Sequence, residues 1–366
     1  MKNIRYFFII YFTLLFFYFN CEKKETSTGP PVIPMPDTTS HDFEWQIDYF
    51  GDGGSSRLND VCIIAENDIW AVGKIYLKDS LGLFKDTYNA AHWNGLKWEL
   101  IRVPVRDYGS NKTRPYPLRA VFCFNQNDVW FNAGADLIQW NEDEWHHRAF
   151  FMTSLNDSTY GPVNKMWGQN NMSFYCVGNN GMIVHYDGLD WQKLDSGTSL
   201  DIQDIWGARD PHTGEYTVLA VAGNLHTGYD REILKISETQ VEMLSINGID
   251  WPLTGIWFDP CRVYYVVGVG IYSKETLLDT INWNGPGLSA TQYTSSAIRG
   301  NHINDLFVVG AYGDVLHYNG VSWFSYREYT ALSAGSYYEV AVKDDLVCAV
   351  GADGGRAVIL RGKRIK

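Results

Sequence analysis

One phrase recurs along most of this chain and restricts its fold more than any other feature. It runs as a short apolar strand, an Asn-Asp type turn, a strand ending in Val-Gly, a strand ending in an aromatic residue and a turn, and then a Trp that opens a fourth strand. The clearest copies are NDIWAVG (67–73) with HWNGLKW (92–98), NDVWFNAG (127–134) with QWNEDEW (139–145), and SFYCVG (173–178) with HYDGLDW (185–191). TVLAVAG (217–223), VYYVVG (263–268) with NWNG (282–285), NDLFVVG (304–310) with HYNGVSW (317–323), and DLVCAVG (345–351) continue the series. The Gly that marks each copy stands at 73, 134, 178, 223, 268, 310 and 351, so the intervals are 61, 44, 45, 45, 42 and 41 residues. A period of about 40 to 50 residues is that of four-stranded propeller blades, and seven markers predict seven of them.

The two ends of the chain fit that count. The seventh copy stops after its third strand, Ala357 to Arg361, with no Trp-opened fourth strand behind it. The segment DFEWQIDYFGDGG (42–54) matches WQKLDSGTSLDIQDIW (191–206) as a strand that leads into the next blade. Trp45 to Phe50 is therefore expected to pair with the last blade and close the ring, leaving no free sheet edge. The fold class predicted is all-β, a seven-bladed β-propeller of four-stranded blades. The 14 Trp, 23 Tyr, 18 Phe and 34 Gly suit strands joined by tight turns.

The repeated residues have physical tasks. Asn-Asp satisfies local backbone groups in a turn. The marker Gly ends a strand where a Cβ would be unwelcome. Trp98, Trp145, Trp191 and Trp323 share one register and are expected to pack in the wedge between blades, with sugar stacking as the alternative. His92, His185 and His317 also share a register, and an interstrand hydrogen bond accounts for them better than metal ligation, because they lie in three different blades.

The N-terminus reads as an address. Lys2 and Arg5 precede an apolar run from Phe7 to Phe19, too short for a membrane span and of the length of a signal h-region. Cys21 and the polar stretch that follows resemble a bacterial lipoprotein signal, which implies lipidation at Cys21 and a membrane anchor there; a secreted or periplasmic protein is the alternative. The domain organisation expected is a signal peptide at 1–20, a lipidated Cys and Pro-rich tether at 21–40, and the propeller at 41–366. Pro30, Pro31, Pro34 and Pro36 favour an extended tether.

The DIWAVG and HYDGLDW phrases resemble the repeats of bacterial envelope propeller lipoproteins, similar in layout to Asp-box and photosystem-assembly-factor propellers. The resemblance spans residues 42–366 and implies a fold more than an activity. Trp-Asp strand ends, kelch glycine pairs and a complete Asp-box are missing, and LDSGTSL (194–200) lacks the leading Ser and closing Trp of the last. No nucleophile, metal or phosphate-loop motif is present, so neither a cofactor nor a metal is expected. A formal net charge of -12 argues against nucleic acid as a partner.

The expected role is non-catalytic binding or scaffolding at the cell envelope, at the outer membrane by its anchor, with an envelope protein or polysaccharide as partner. The alternatives are a polysaccharide hydrolase or lyase and a structural subunit of an envelope complex. Second-to-third connections and interblade passages emerge on one face of a propeller, and insertions at Lys74–Asn89, Val269–Thr280, Pro104–Pro117 and Phe150–Pro162 place a ligand there. The passage between the first two blades is locally basic, with Arg102, Arg106, Lys112, Arg114 and Arg119 against Asp107, and it holds Tyr108 and Tyr116. These seven basic and aromatic residues are the candidate ligand-binding set for an anionic partner. Asp60 and Asp204, on first strands, are the acids a hydrolase would use, although their recurrence points to structural hydrogen bonds. Beyond Cys21, most of Cys62, Cys123, Cys176, Cys261 and Cys348 are expected as small buried apolar residues rather than a disulfide framework.

Overall fold

The computed structural model describes residues 38–107, 110–141, 143–150, 162–210, 213–224, 230–260, 262–285 and 291–365. Lipidation at Cys21, the signal segment and most of the tether lie outside these residues. Seven antiparallel sheets follow one another along the chain. Blade 1 comprises Arg57–Ala65, Asp68–Lys78, Phe84–Trp93 and Trp98–Ile101, and blade 2 Ala120–Asn125, Asp128–Ala133, Asp136–Asn141 and Glu144–Phe150. Blade 3 comprises Val163–Asn170, Ser173–Gly178, Ile183–Tyr186 and Trp191–Leu194, and blade 4 Ile202–Arg209, Tyr216–Gly223, Arg231–Ile236 and Val241–Leu244. Blade 5 has Leu253–Asp259, Val263–Gly268 and Gly270–Lys274, and blade 6 Ser295–His302, Asp305–Gly310, Val315–Tyr318 and Trp323–Ser325. Blade 7 takes Ser336–Lys343, Leu346–Asp353 and Arg356–Arg364 from the end of the chain and Phe43–Phe50 from its beginning. The first strand of each blade lies beside those of its two neighbours, the seventh beside the first, so the sheets form a closed ring: a seven-bladed β-propeller.

Closure happens as expected. All eight residues of Phe43–Phe50 pair with the third strand of blade 7, from Phe43 opposite Arg364 to Phe50 opposite Ala357. Each interblade wedge is filled by apolar side chains of two neighbouring sheets, as where Leu58, Ile69 and Ala91 of blade 1 pack with Val350 and Ile359 of blade 7. The marker glycines sit where the second strand crosses the entry of the first. A Cβ at Gly73, Gly178 or Gly351 would stand 2.2, 2.1 and 1.9 Å from the carbonyl oxygens of Arg57, Pro162 and Ser336. Blade 2 differs: Gly134, at φ 61, is a turn residue with nothing within 4 Å, and Ala133 ends the second strand.

The recurring histidines make the interstrand bonds expected of them. His92 and His317 each meet the Asp that opens the second strand, Asp68 and Asp305, at 2.9 Å, and His185 meets Ser173 at 3.2 Å. Their rings stack on Trp70, Phe307 and Tyr175 at 4.2, 4.5 and 4.2 Å. The recurring Trp residues pair across the third and fourth strands, Trp98 with Trp93, Trp145 with Trp140, Trp191 with Tyr186 and Trp323 with Tyr318.

Two expectations are corrected. In blade 5 three strands pair at length among the described residues, and Asn284 bridges Ser273 where the fourth runs. Its Val269–Thr280 stretch is not a second-to-third insertion: Gly270, at φ 109, lets the chain reverse at once and pair with Gly268, and residues 275–282 follow the third strand instead. Cys62 and Cys123 are not free apolar residues; they form a disulfide between the inner strands of blades 1 and 2. Cys176 and Cys348 are buried free thiols, as expected, while Cys261 lies outside the described residues.

The two faces of the ring are distinguished by their hydrogen bonds. On one, second-to-third turns meet interblade passages, through Leu118 N–H to Gly73 C=O, Asn179 N–H to Pro162 C=O and Tyr312 N–H to Gly335 C=O. On the other, first-to-second turns meet third-to-fourth turns, as where the Trp93 indole donates to the Glu66 carbonyl at 3.2 Å. The chain enters the ring on this second face. Thr39 donates to the carbonyl of Asn304, His41 and His317 share a 2.8 Å bond between their Nδ1 atoms, and Ile365 N–H donates to Asp42 C=O.

Candidate functional site

Two charged regions qualify, one in the channel and one on the insertion-bearing face. The channel region arises from a bulge near the start of the inner strand in six blades, which re-aims the residue that follows it. Those residues are Asp60, Lys165, Asp204, Gly255, Ala297 and Glu339, and Arg299 stands two positions beyond Ala297. Lys165 Nζ lies 2.6 Å from both Asp60 Oδ1 and Glu339 Oε2. Arg299 grips Asp204 with two nitrogens at 2.8 and 2.7 Å and stands 3.7 Å from Glu339. Asp60 also accepts from the backbone of Val61 and Val121, and Asp204 from Ile205 and Ile256, so each carboxylate ties its own blade to the next. The structural reading of the two aspartates is the one the geometry supports.

The electrostatics follow from burial and unequal numbers. Three carboxyls face two cations, all buried. Burial pushes Asp60 up to about 6, with Lys165 pulling it down and Glu339 adding to the rise. Burial alone would lower Lys165 and Arg299, but the carboxylates outweigh it and hold both above their ordinary values. Beside the cluster a cavity of about 120 Å³ is lined by Phe122, Trp167, Trp206 and the two cations. It is well below the ~300 Å³ of small-molecule sites and suits a few waters.

On the insertion-bearing face, the second and third strands of blade 1 run on as a hairpin beyond the sheet. Asp79 caps its tip by accepting from Leu81 and Leu83 N–H at 2.9 Å each. Its base is braced by the 51–56 passage, where Asp52 N–H donates to Tyr76 C=O and Asp52 Oδ2 accepts from Lys78 N–H. The tip presents Leu81, Leu83 and Phe84 at 76%, 49% and 44% exposure. An apolar triplet held out by a braced hairpin marks a contact site better than scattered surface leucines do.

The passage from blade 1 to blade 2 carries the basic residues and forms a small hairpin of its own, Val105–Arg106 against Thr113–Arg114. Arg102 lies over the Tyr88 ring at 4.1 Å and donates to Thr87 C=O and Asp86, which fastens the passage to the extended hairpin. Arg106 forks onto the buried Asp136, which also meets His147 at 3.1 Å. Arg114 and Tyr116 share Asp107, at 3.2 and 2.7 Å, and the Tyr116 hydroxyl holds that exposed carboxyl below its usual range. Arg119 donates to Asn164 of blade 3 at 2.9 Å. Lys112 is exposed. Tyr108 and residues 151–161 of the Phe150–Pro162 insertion lie outside the described residues.

The structure thus spreads the six described members of the candidate set along one rim rather than gathering them in a pocket, and it supplies acids from Asp86 and Asp136. Sequence reading missed the hairpin tip, whose signal was LGLF between charged residues, and it missed Lys165, Arg299 and Glu339. Their signal was a charge inside an otherwise apolar first strand, in VNKMWG, SAIRGN and YYEVAV.

No protein-family model matches the chain, and no curated protein matches it. Among solved structures it is similar to YCF48 bound to D1 peptide, at 17% identity and a TM-score of 0.60, covering 88% of this chain and 97% of that one. It is similar also to YCF48 from Cyanidioschyzon merolae, at 13% identity and a TM-score of 0.59, covering 86% and 98%. A third is the selenomethionine-substituted virginiamycin B lyase from Staphylococcus aureus, at 11% identity and a TM-score of 0.60, covering 88% and 100%. At these identities the likeness is one of fold, and it places the chain among β-propellers whose own roles differ from one another.

Proposed function

We propose that this chain is a non-catalytic binding propeller displayed at the bacterial cell envelope, and that its ligand is a protein segment carrying apolar and acidic side chains, held on the insertion-bearing face. The observation that carries the reading is the braced hairpin tip of Leu81, Leu83 and Phe84 on the same rim as Arg102, Lys112, Arg114 and Tyr116. Apolar anchors beside a cationic border match a peptide whose own anchors are flanked by carboxylates. Arg106 and Arg119 serve to position this rim, since their guanidinium groups are spent on Asp136 and Asn164. That a similar propeller is known bound to a peptide supports a protein ligand. The channel weighs against the polysaccharide hydrolase or lyase, because Asp60 and Asp204 are buried and engaged with cations rather than facing a substrate across a mouth. The Cys62–Cys123 disulfide supports an oxidising, exported location, in keeping with the apolar N-terminus and Cys21.

The test uses the full chain recovered from solubilised envelope. Wild type is expected to bring down one stoichiometric protein, and the Leu81→Ser, Leu83→Ser, Phe84→Ser variant is expected to lose it at unchanged Tm. Capture that survives these changes would overturn the proposed face. Saturable polysaccharide binding with no protein partner would turn the reading to a glycan, and release of product from that polysaccharide would restore the enzyme.

A further inference from the structure

The face opposite the insertions carries an apolar feature that its neighbours do not explain. Its third-to-fourth turns read Asn94-Gly95-Leu96-Lys97, Asp187-Gly188-Leu189-Asp190 and Asn319-Gly320-Val321-Ser322 in blades 1, 3 and 6. In each, the first residue caps the turn by accepting two backbone N–H bonds, and the glycine takes φ near 90°. That geometry thrusts the third residue outward: Leu96, Leu189 and Val321 are 89%, 83% and 60% exposed. Nothing in turn chemistry asks for an aliphatic side chain there, and blade 4 uses the polar Ser237-Glu238-Thr239-Gln240 in the corresponding connection. Met172, also exposed, packs beside the blade 3 tip at Gly188.

Two facts point to one occupant. Blades 1, 3 and 6 are separated by two, three and two steps around a seven-membered ring, so the three tips form a tripod rather than a one-sided patch. A tripod fits a planar partner. The chain also enters the ring on this face, at Thr39 to Phe43, from the segment that carries the apolar run and Cys21.

We infer that Leu96, Leu189 and Val321 are a three-point footing by which the propeller rests on the lipid surface to which its N-terminus is anchored, with the insertion-bearing face turned outward. The inference rests on the reading of Cys21 as a lipidated anchor. About twenty tether residues hold the tips at an effective concentration on the order of millimolar near that surface, so shallow insertion of three aliphatic side chains is enough to set an orientation it would be too weak to produce from free solution.

The test places a single Leu96→Cys, Leu189→Cys or Val321→Cys change in the full chain, recovered from membranes and reconstituted in phosphatidylethanolamine–phosphatidylglycerol vesicles, with Leu81→Cys as the control on the other face. Cys261 is replaced by Ser in every variant, and the described free thiols, Cys176 and Cys348, are buried and pushed well above the usual thiol range, so an environment-sensitive label goes to the new site. Nitroxide-bearing lipid is expected to quench the label about twofold at each of the three tips and to leave the Leu81 position unchanged, as shallow interfacial insertion requires. Vesicle flotation with no quenching at the tips overturns the footing while leaving the anchor intact, and quenching at Leu81 alone reverses the orientation. A chain that does not float with the vesicles removes the anchor reading and the footing with it.

Discussion

The channel cluster and the basic rim are made of the same kinds of side chain and behave as opposites because of what surrounds them. In the channel, Lys165 and Arg299 are buried between three carboxyls drawn from blades 1, 4 and 7. At the rim, Arg114 and Lys112 stand in solvent, and Arg114 meets Asp107 at 3.2 Å on a carboxylate that water also reaches. The first arrangement couples blades that are far apart in sequence. The second leaves cationic groups where a partner can use them, because an exposed pair costs little to part. Charge density along the sequence therefore says less about function than whether the opposing charge is supplied from within the fold.

The largest expected effect breaks the channel. Lys165→Met leaves Asp60 and Glu339 buried without their shared cation and is expected to cost about 3–5 kcal/mol in denaturant unfolding, whereas Arg114→Ala at the rim should stay within about 0.5 kcal/mol. Equal losses would erase the distinction between the regions. The next effect sharpens it: Cys62→Ser with Cys123→Ser opens the covalent link between the first two inner strands and should cost about 2–4 kcal/mol. Arg106→Ala is expected to fall between the extremes, because it takes the guanidinium from the buried Asp136 and leaves it His147 and a backbone N–H, although the Arg106 side chain lies at the rim.

Asp60 in the channel and Asp107 at the rim are expected to contribute to the pH dependence of stability with opposite sign. Asp60 titrates near 6 in the folded protein against about 3.9 unfolded, so the native state binds the extra proton between those values and this group's contribution to stability falls as pH rises through them. Asp60→Asn should therefore gain on wild type as pH is raised from about 4 to 6.5 in parallel unfolding curves. Asp107 is held below its ordinary value, so its contribution is present above the unfolded pKa and disappears as pH falls. Asp107→Asn should lose on wild type as pH rises through the carboxylate range, by a smaller margin, since the group is exposed. The smallest effect is on stability at the rim itself. Arg102→Ala, Lys112→Ala and Arg114→Ala together should barely move Tm while weakening capture of the envelope partner.

What was legible in the sequence is what repeats. The marker glycines, the His and Asp pair between the second and third strands, and the Trp-opened fourth strand each have the same local cause in several blades, so periodicity exposes them. The ring closure by Phe43–Phe50 was legible because an incomplete seventh copy needs a partner strand. Blade 5 was misread where Gly268-Val269-Gly270 reverses the chain in a single residue, leaving NWNG to imitate a third strand. The channel cluster was not legible because its members are far apart in sequence and each blade supplies at most one of them. The disulfide had a fainter signal. Cys62 shares the parity of Asp60, which reaches toward blade 2, while Cys123 lies on the opposite parity of its own strand, so the two side chains face each other across the gap.

The strand that closes the ring is also the one through which any pull on the N-terminal segment must pass. Because Phe43–Phe50 begins at its Phe43 end on the face where the chain enters the ring, a force applied along the strand slides it along Arg356–Arg364 rather than peeling it off. Eight pairings share the load in shear instead of failing one after another, and a closure that costs the blade only one borrowed strand thereby becomes a mechanical clasp for a domain held by its leading end.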